Sequence, residues 1–540
     1  MQGLMMSMPL MISSLLCHAE RWHGDTEIVS RTIEGPIHRY TYRDAHQRSR
    51  RVANALRRLG IAQGDRVATL AWNGYRHFEL YYGISGTGAV IHTINPRLFF
   101  EQLVYIVDHA ADRLVFFDLT FAPLVAKLAP QCPRVEGWIA MTDRAHMPSL
   151  DVANLLCYEE LLSAEDDDYE WPHFDENSAS SLCYTSGTTS NPKGVLFSHR
   201  STLLHALGTA TPDVNNYSAR STVLPIVPMF HVNAWGIPYA APLVGAKLVL
   251  PGAGLDGASL YELCEQEKVD CSAGVPTVWF NLIAYLKEHG LRLTTLKRTI
   301  IGGAACPPAM IRTLRDDFGI TVTHGWGMTE MSPIGTINNP KGRHAGMDPD
   351  AAIALAAKQG RPLYGVDMKI VDAAGAELPH DGASAGNLLV KGPWILARYY
   401  RDAGDPLTPD GWLPTGDVGT IDADGYLAIT DRSKDMIKSG GEWISSIELE
   451  NVAMSHPAVA EAAAIGVPHP RWDERPLLVV VRRSGATLDR AALLAFYEGK
   501  VAKWARPDDV VFVDELPHTA TGKLSKRTLR ERFRGHVLPE

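Results

Sequence analysis

Leu182-Cys183-Tyr184-Thr185-Ser186-Gly187-Thr188-Thr189-Ser190-Asn191-Pro192-Lys193-Gly194 couples a short apolar run to a turn of hydroxyls, glycines and one lysine. Such a run, ending abruptly in Thr, Ser and Gly, reads as a buried strand that opens into a loop. Hydroxyls, exposed backbone N–H groups and one ammonium suit the grip of a flexible loop on a polyphosphate. The order differs from the common phosphate loop, in which Lys precedes a Ser or Thr at a helix start; here Lys193 precedes Gly194. A polar surface turn is the competing reading, because the same residues dominate turns.

Outward from that stretch the pattern repeats. Thr41-Tyr42-Arg43-Asp44 reads as a capping box opening a helix, with Ala45, Ser49, Val52, Leu56 and Leu59 on one face and Gly60 ending it. Strands are predicted at Val67–Ala71, Arg113–Phe117 and Lys247–Leu250, and helices over 100–111 and 121–129. Thr299-Ile300-Ile301 runs directly into Gly302-Gly303-Ala304-Ala305, and in open α/β sheets ligands sit at such carboxyl ends. The fold class is α/β: a large N-terminal domain of layered parallel sheets with helices. From 363 to 430 short strands and Gly-rich turns predict an antiparallel, barrel-like subdomain. The charged joint Asp431-Arg432-Ser433-Lys434-Asp435 is the expected boundary, giving domains 1–431 and 436–540 with a hinge at 432–435.

A chain of 540 residues exceeds one core. Hydrophobic residues at 46% and charged residues at 21% exclude extensive disorder, and a net charge of −9 gives no reason to expect nucleic acid. Cys17, Cys132, Cys157, Cys183, Cys264, Cys271 and Cys306 form no C-x-x-C pair, which argues against a disulfide framework or zinc site and suits a cytoplasmic enzyme. Met1 to Cys17 lacks a basic start and is interrupted by Pro9, Ser13 and Ser14, so it reads as a first helix and not as a secretory signal. No apolar run is long enough for membrane insertion. The acidic run Glu165–Asp168 and the basic stretch after Lys523 read as solvated.

Further motifs follow the hydroxyl loop. Pro228-Met229-Phe230-His231-Val232-Asn233-Ala234-Trp235 sets an imidazole and an indole in one apolar context. His324-Gly325-Trp326-Gly327-Met328-Thr329-Glu330 offers an aromatic plane for a base, small residues for close approach and a carboxylate for a hard cation. Gly411-Trp412-Leu413-Pro414-Thr415-Gly416-Asp417 ends in a carboxylate suited to two ribose hydroxyls, and Arg432 adds a guanidinium. Pro517-His518-Thr519-Ala520-Thr521-Gly522-Lys523 carries one lysine on a Thr/Gly turn. Singly, each has an ordinary structural reading. Together, from Thr41 to Arg530, they resemble the adenylate-forming superfamily of acyl-CoA synthetases, peptide-synthetase adenylation domains and luciferases. Asn95-Pro96-Arg97-Leu98-Phe99 and His231–Trp235 are similar to the fatty-acid–CoA ligase branch that holds medium-chain and 3-(methylthio)propanoate–CoA ligases.

The resemblance implies an AMP-forming acid–CoA ligase with ATP and CoA as co-substrates, Mg2+ as cofactor, and 3-(methylthio)propanoate as the best specific acid. It implies catalytic roles for Lys523, His231 and Lys438, and magnesium positions at Thr185 and Glu330. Thr185, Ser186, Gly187, Thr188, Thr189 and Lys193 would hold pyrophosphate. Gly302, Gly303, Ala304, His324, Gly325, Trp326, Gly327 and Thr329 would surround the adenylate. Asp417 and Arg432 would take the ribose, with Lys434 at a hinge about which a small, mobile α+β C-terminal domain swivels. His231, Trp235 and Gly302 would line the acyl pocket, and Lys438, Gly440, Gly441 and Trp443 the CoA channel. Gly386-Asn387-Leu388 departs from the family's usual G-E-L. Related ligases suggest a homodimer. The alternatives are a general medium- or long-chain synthetase, a peptide-synthetase adenylation domain, a luciferase-like oxygenase and a non-catalytic nucleotide binder. The second lacks a carboxylate in 229–235, the third its tail address, and the last would not keep Lys523, Glu330 and Asp417.

Overall fold

Short β-branched runs alternating with amphipathic helices assemble into two largely parallel sheets in a computed structural model that describes residues 1, 3–185, 191–432, 434–439, 442–518 and 524–539. One sheet has seven strands in the order Leu155–Cys157, Gly137–Ala140, Asp112–Phe117, Arg66–Leu70, Val90–Thr93, Ala179–Tyr184, Gly194–Ser198, parallel except at the last pair. The other has nine, with Thr321–Gly327, Arg298–Ile301, Cys271–Gly274, Thr222–Pro225, Lys247–Leu250 and Glu27–Arg31 parallel and antiparallel strands at both edges.

Helix Tyr75–Gly86 is buried along its whole length. Its apolar residues share one hydrophobic cluster with both sheets. Its polar groups are satisfied within the core, as burial requires: Tyr81 donates to the Met229 carbonyl, Tyr82 to the Pro238 carbonyl, and Glu79 is held by Arg48 at 2.7 Å and Tyr158 at 2.6 Å. Helix Tyr42–Arg58 carries the expected Thr41/Asp44 capping box and buries Ala45, Ser49, Val52 and Leu56.

The 363–430 region is an antiparallel meander of Asp367–Val371, Gly386–Lys391, Leu413–Ile421 and Leu427–Arg432 in chain order. Asn387, the departure from the family pattern, is exposed between the buried Gly386 and Leu388. After Arg432 a separate five-stranded mixed sheet begins at Ile437–Ser439, and its two hydrophobic clusters draw only on residues from Ile437 onward. Among the described residues no helix is long and apolar enough to cross a membrane.

Two local expectations are corrected. The first helix is Ser13–His23, not Met1 to Cys17; Leu4, Met5, Met6 and Met8 are exposed ahead of Pro9. The acidic run is a surface loop with Asp166 and Asp168 exposed, as read from the sequence, and it is tied to helix Tyr42–Arg58 through Glu165–Arg58 at 2.8 Å and Asn54 donating to the Asp166 carbonyl at 3.0 Å. The basic C-terminal stretch is not uniformly solvated. Helix Lys526–Arg532 buries Leu529, and Lys526 pairs with Glu450 at 2.8 Å with its side chain only 10% exposed.

Candidate active site

The carboxyl ends of strands Ala179–Tyr184, Arg298–Ile301 and Thr321–Gly327 meet at a cleft of about 620 Å³, where open α/β sheets place ligands. Thr185 opens the hydroxyl loop. Its N–H donates to the Lys193 carbonyl at 2.9 Å, and its Oγ1 accepts from the Lys193 N–H at 3.1 Å, closing the loop's neck. Ser186, Gly187, Thr188 and Thr189 lie outside the described residues, as do Gly440, Gly441 and Lys523. The Lys193 ammonium lies 3.3 Å from Asp402 and 4.6 Å above the Tyr399 ring, and the Tyr399 hydroxyl donates to Glu330 at 2.7 Å. Glu330 and Thr329 are buried in the cleft wall.

Trp326 Nε1–H donates to Asp417 at 2.9 Å, while Arg432 approaches the other Asp417 oxygen at 3.4 Å. Antiparallel pairing sets Asp417 opposite Arg432, so two motifs distant in sequence share one ladder rung. Asp417 is nearly buried, yet its carboxylate edge faces the cleft. Lys434 also lines it, its amine held below the usual lysine range by burial and by the neighbouring Arg432 charge. His324 does not line the wall. It is buried behind it, its Nδ1 2.8 Å from the Ala357 carbonyl, and burial lowers its pKa, which keeps the ring neutral.

The wall around Gly302 and Trp235 is built by close approach. A Cβ on Gly302 would stand 2.7 Å from the Gly325 carbonyl oxygen and 3.3 Å from Trp235 Cη2. A Cβ on Gly327 would stand 2.0 Å from the Pro333 oxygen. Gly303 and Ala304 continue the wall, and His231 and Trp235 face it. The chain between them is unusual: Val232, Asn233, Ala234 and Trp235 have φ of 45°, 52°, 48° and 56°, and Gly236 follows at 79°. A left-handed turn of non-glycine residues costs roughly 1–2 kcal/mol per residue, so the surrounding packing must impose it.

Family models for the AMP-binding enzyme and for the AMP-binding enzyme C-terminal domain match residues 17–400 and 448–523. The chain belongs to the AMP-binding enzyme family. It is 54% identical to a 3-methylmercaptopropionyl-CoA ligase of Ruegeria lacuscaerulensis, over 99% of both chains. It is 50% identical to a medium-chain-fatty-acid–CoA ligase of Ectopseudomonas oleovorans, over 100% of this chain and 98% of the relative. Among solved structures it resembles an ATP-bound MatB from Rhodopseudomonas palustris, with a TM-score of 0.81, 26% identity, and coverage of 97% of this chain and 99% of that one. The fold also matches that of an anthranilate CoA ligase in complex with anthranoyl-AMP, with a TM-score of 0.87 at 24% identity over 98% and 99% of the two chains.

In this AMP-binding enzyme the C-terminal segment closes one side of the cleft with Glu450, Lys526 and Arg530, none of which the motif reading had singled out. Ser446 donates to Asp431 from its N–H at 2.7 Å, and Lys526 donates to the Ser446 hydroxyl. Arg530 pairs with Asp435 and donates to the Lys434 carbonyl. Lys438 and Trp443 face each other across a hairpin outside the cleft lining, both exposed, with Lys438 4.0 Å from Asp473. Such residues carry signal only as a buried-charge pattern, and Lys526 among exposed basic neighbours hides it.

Proposed function

We propose that the chain activates a short- or medium-chain carboxylic acid with ATP and transfers the acyl group to CoA. The acid oxygen attacks the α-phosphorus and pyrophosphate leaves; the CoA thiolate then attacks the acyl carbon and AMP leaves. The observation that carries this reading is the single cleft in which Trp326, Asp417 and Arg432 stand at one end and Trp235 and Gly302 at the other. That arrangement suits an adenosine whose ribose meets Asp417 and an apolar acid lying against the indole. 3-(Methylthio)propanoate is the acid we favour, since a thioether sulfur replaces a methylene in an apolar pocket without demanding a hydrogen bond.

Lys523 supplies charge to the adenylation transition state in this reading, and His231 stands at the acyl entrance. Thr185 and Glu330 offer a hydroxyl and a carboxylate oxygen, hard donors that fit Mg2+ shared with substrate phosphates. When bound there, the ion would neutralise phosphate charge. We place the hinge at Lys434 and expect a cytoplasmic homodimer, which light scattering would test. The deciding assay supplies ATP, CoA and a panel of C2 to C12 and thioether acids. Thioester and AMP formed in equal amounts support the reading, and no pyrophosphate release with any acid overturns it.

A further inference from the structure

We propose that Asn233 is a positioning residue that holds the left-handed turn in place and thereby sets the acyl-length preference of the site, an inference that rests on the ligase reading above. The turn's backbone conformation runs against most of its residue types. Besides its helical bonds, the Ala234 N–H donates to the His231 carbonyl at 3.2 Å and the Gly236 N–H to the Asn233 carbonyl at 3.0 Å. Val232, being β-branched, resists the left-handed region strongly, whereas Asn tolerates it best among non-glycine residues.

The tertiary tie of the turn comes from the Asn233 side chain, which is 5% exposed. Its Nδ2–H donates to Ser181 Oγ at 3.0 Å. Its Oδ1 accepts from the Cys183 thiol at 3.5 Å and lies 3.3 Å from the Tyr81 hydroxyl, whose proton goes to the Met229 carbonyl. The amide therefore joins the turn to strand Ala179–Tyr184, the strand that leads into Thr185, and sits against helix Tyr75–Gly86. Two residues on, Trp235 stands half-buried against Gly302, and among the described residues its indole makes no side-chain hydrogen bond. The position of that wall depends on the backbone of the turn, and the backbone is fixed through Asn233. Loss of the amide frees the turn to relax and the indole to withdraw, which lengthens the pocket.

The test measures kcat/KM for a C3 thioether acid and for straight C4 to C10 acids in wild type, Asn233→Ala, Asn233→Gly and Ser181→Ala, with KM for ATP alongside. Glycine keeps the left-handed backbone accessible but removes the amide, which separates the clamp from the local preference. In Asn233→Ala and Asn233→Gly the ratio of C8 to C3 efficiency should rise by about tenfold, with KM for ATP changed by less than about threefold. Ser181→Ala should shift the ratio in the same direction by less. Combining Asn233→Ala with Trp235→Ala should add little to Trp235→Ala alone, because the amide acts through the indole. A uniform fall across all acids, or wild-type selectivity in Asn233→Gly, overturns the inference while leaving the ligase reading intact. Should Asn233→Ala not fold, unchanged selectivity in Ser181→Ala overturns it equally. A wild-type protein inert to every acid removes the ligase reading and this inference with it.

Discussion

Asp417 shows how one side chain can carry a subsite. It is nearly buried, accepts from Trp326, and faces Arg432 across the ladder. Replacing it with Ala removes a charged acceptor and leaves the Trp326 N–H and the Arg432 guanidinium without their partner. Hydrogen bonds to charged groups are worth about 1.5–3 kcal/mol, so Asp417→Ala should raise KM for ATP by about 10- to 100-fold while KM for the acid moves little. A change confined to the acid would remove the ribose assignment. Asp417 and Glu330 were legible because each closes a short motif whose neighbours supply the context. Lys526 and Asn233 were not, since their partners Glu450 and Ser181 are set by tertiary packing. His205 is a different case. Burial pushes it from its ordinary value of 6.5 down to about 3, and its Nε2 accepts from the Ile334 N–H at 3.1 Å. The native ring stays neutral while the unfolded chain takes up a proton below 6.5, so its contribution is complete above that pH and declines as pH falls towards 3. Between pH 7.5 and 5 wild type should lose on the order of 2 kcal/mol more than His205→Gln, measured by denaturant unfolding at each pH; equal losses would contradict a buried neutral ring.

At the scale of elements, the strand ends decide what the cleft accepts. The strand Arg298–Ile301 and its following glycines were readable from an apolar run that stops at Gly302-Gly303. The helix at 42 was readable from its period and cap, and those at 100 and 122 from their helical pattern. The turn at 231–236 was not. A left-handed run has no sequence period of its own, and of its residues only Asn233 favours that region, while Val, Ala and Trp carry ordinary right-handed or extended preferences. In the proposed reading Gly302 and Trp235, which meet in the cleft wall, set the depth available to the acid. Trp235→Ala removes an indole that a straight acid would otherwise have to displace, so efficiency towards C3 and C4 acids should fall through lost packing while C8 to C10 acids gain relative to them. One methylene is worth only about 1–3 kcal/mol, which makes a graded shift the expected profile. Gly302→Ala acts in the opposite sense. Its Cβ would meet the Gly325 carbonyl at 2.7 Å, and backbone yields less readily than a side-chain tip. KM for the acid should rise on the order of tenfold or more, with the largest effect on the bulkiest acids; unaltered kinetics in Gly302→Ala would place the acid elsewhere.

Across the whole molecule, the C-terminal segment presents two surfaces, and only one of them lines the cleft. Glu450, Lys526 and Arg530 line the cleft, with Lys526 and Arg530 anchored at the joint through Ser446, Asp431 and Asp435. Lys438 and Trp443 sit on a hairpin that points elsewhere. The C-terminal sheet owns its core, so it can move as a body if the contacts at the joint exchange. In the reaction proposed above, two half-steps with different reacting groups would give such a motion a purpose, each set taking its turn at the cleft. The consequence is kinetic separation. Lys523→Ala should abolish pyrophosphate release yet still accept chemically supplied acyl-adenylate and turn it over to thioester with CoA. Lys438→Ala should form adenylate at close to the wild-type rate and slow thioester formation by on the order of tenfold. Lys434→Pro, by fixing the backbone at the joint, should impair alternation between the steps and so lower steady-state turnover more than either half-reaction measured in a single turnover. Equal loss of both half-reactions in Lys438→Ala and in Lys523→Ala would mean that a single arrangement of the two domains serves the whole reaction, and the swivel would have to be abandoned.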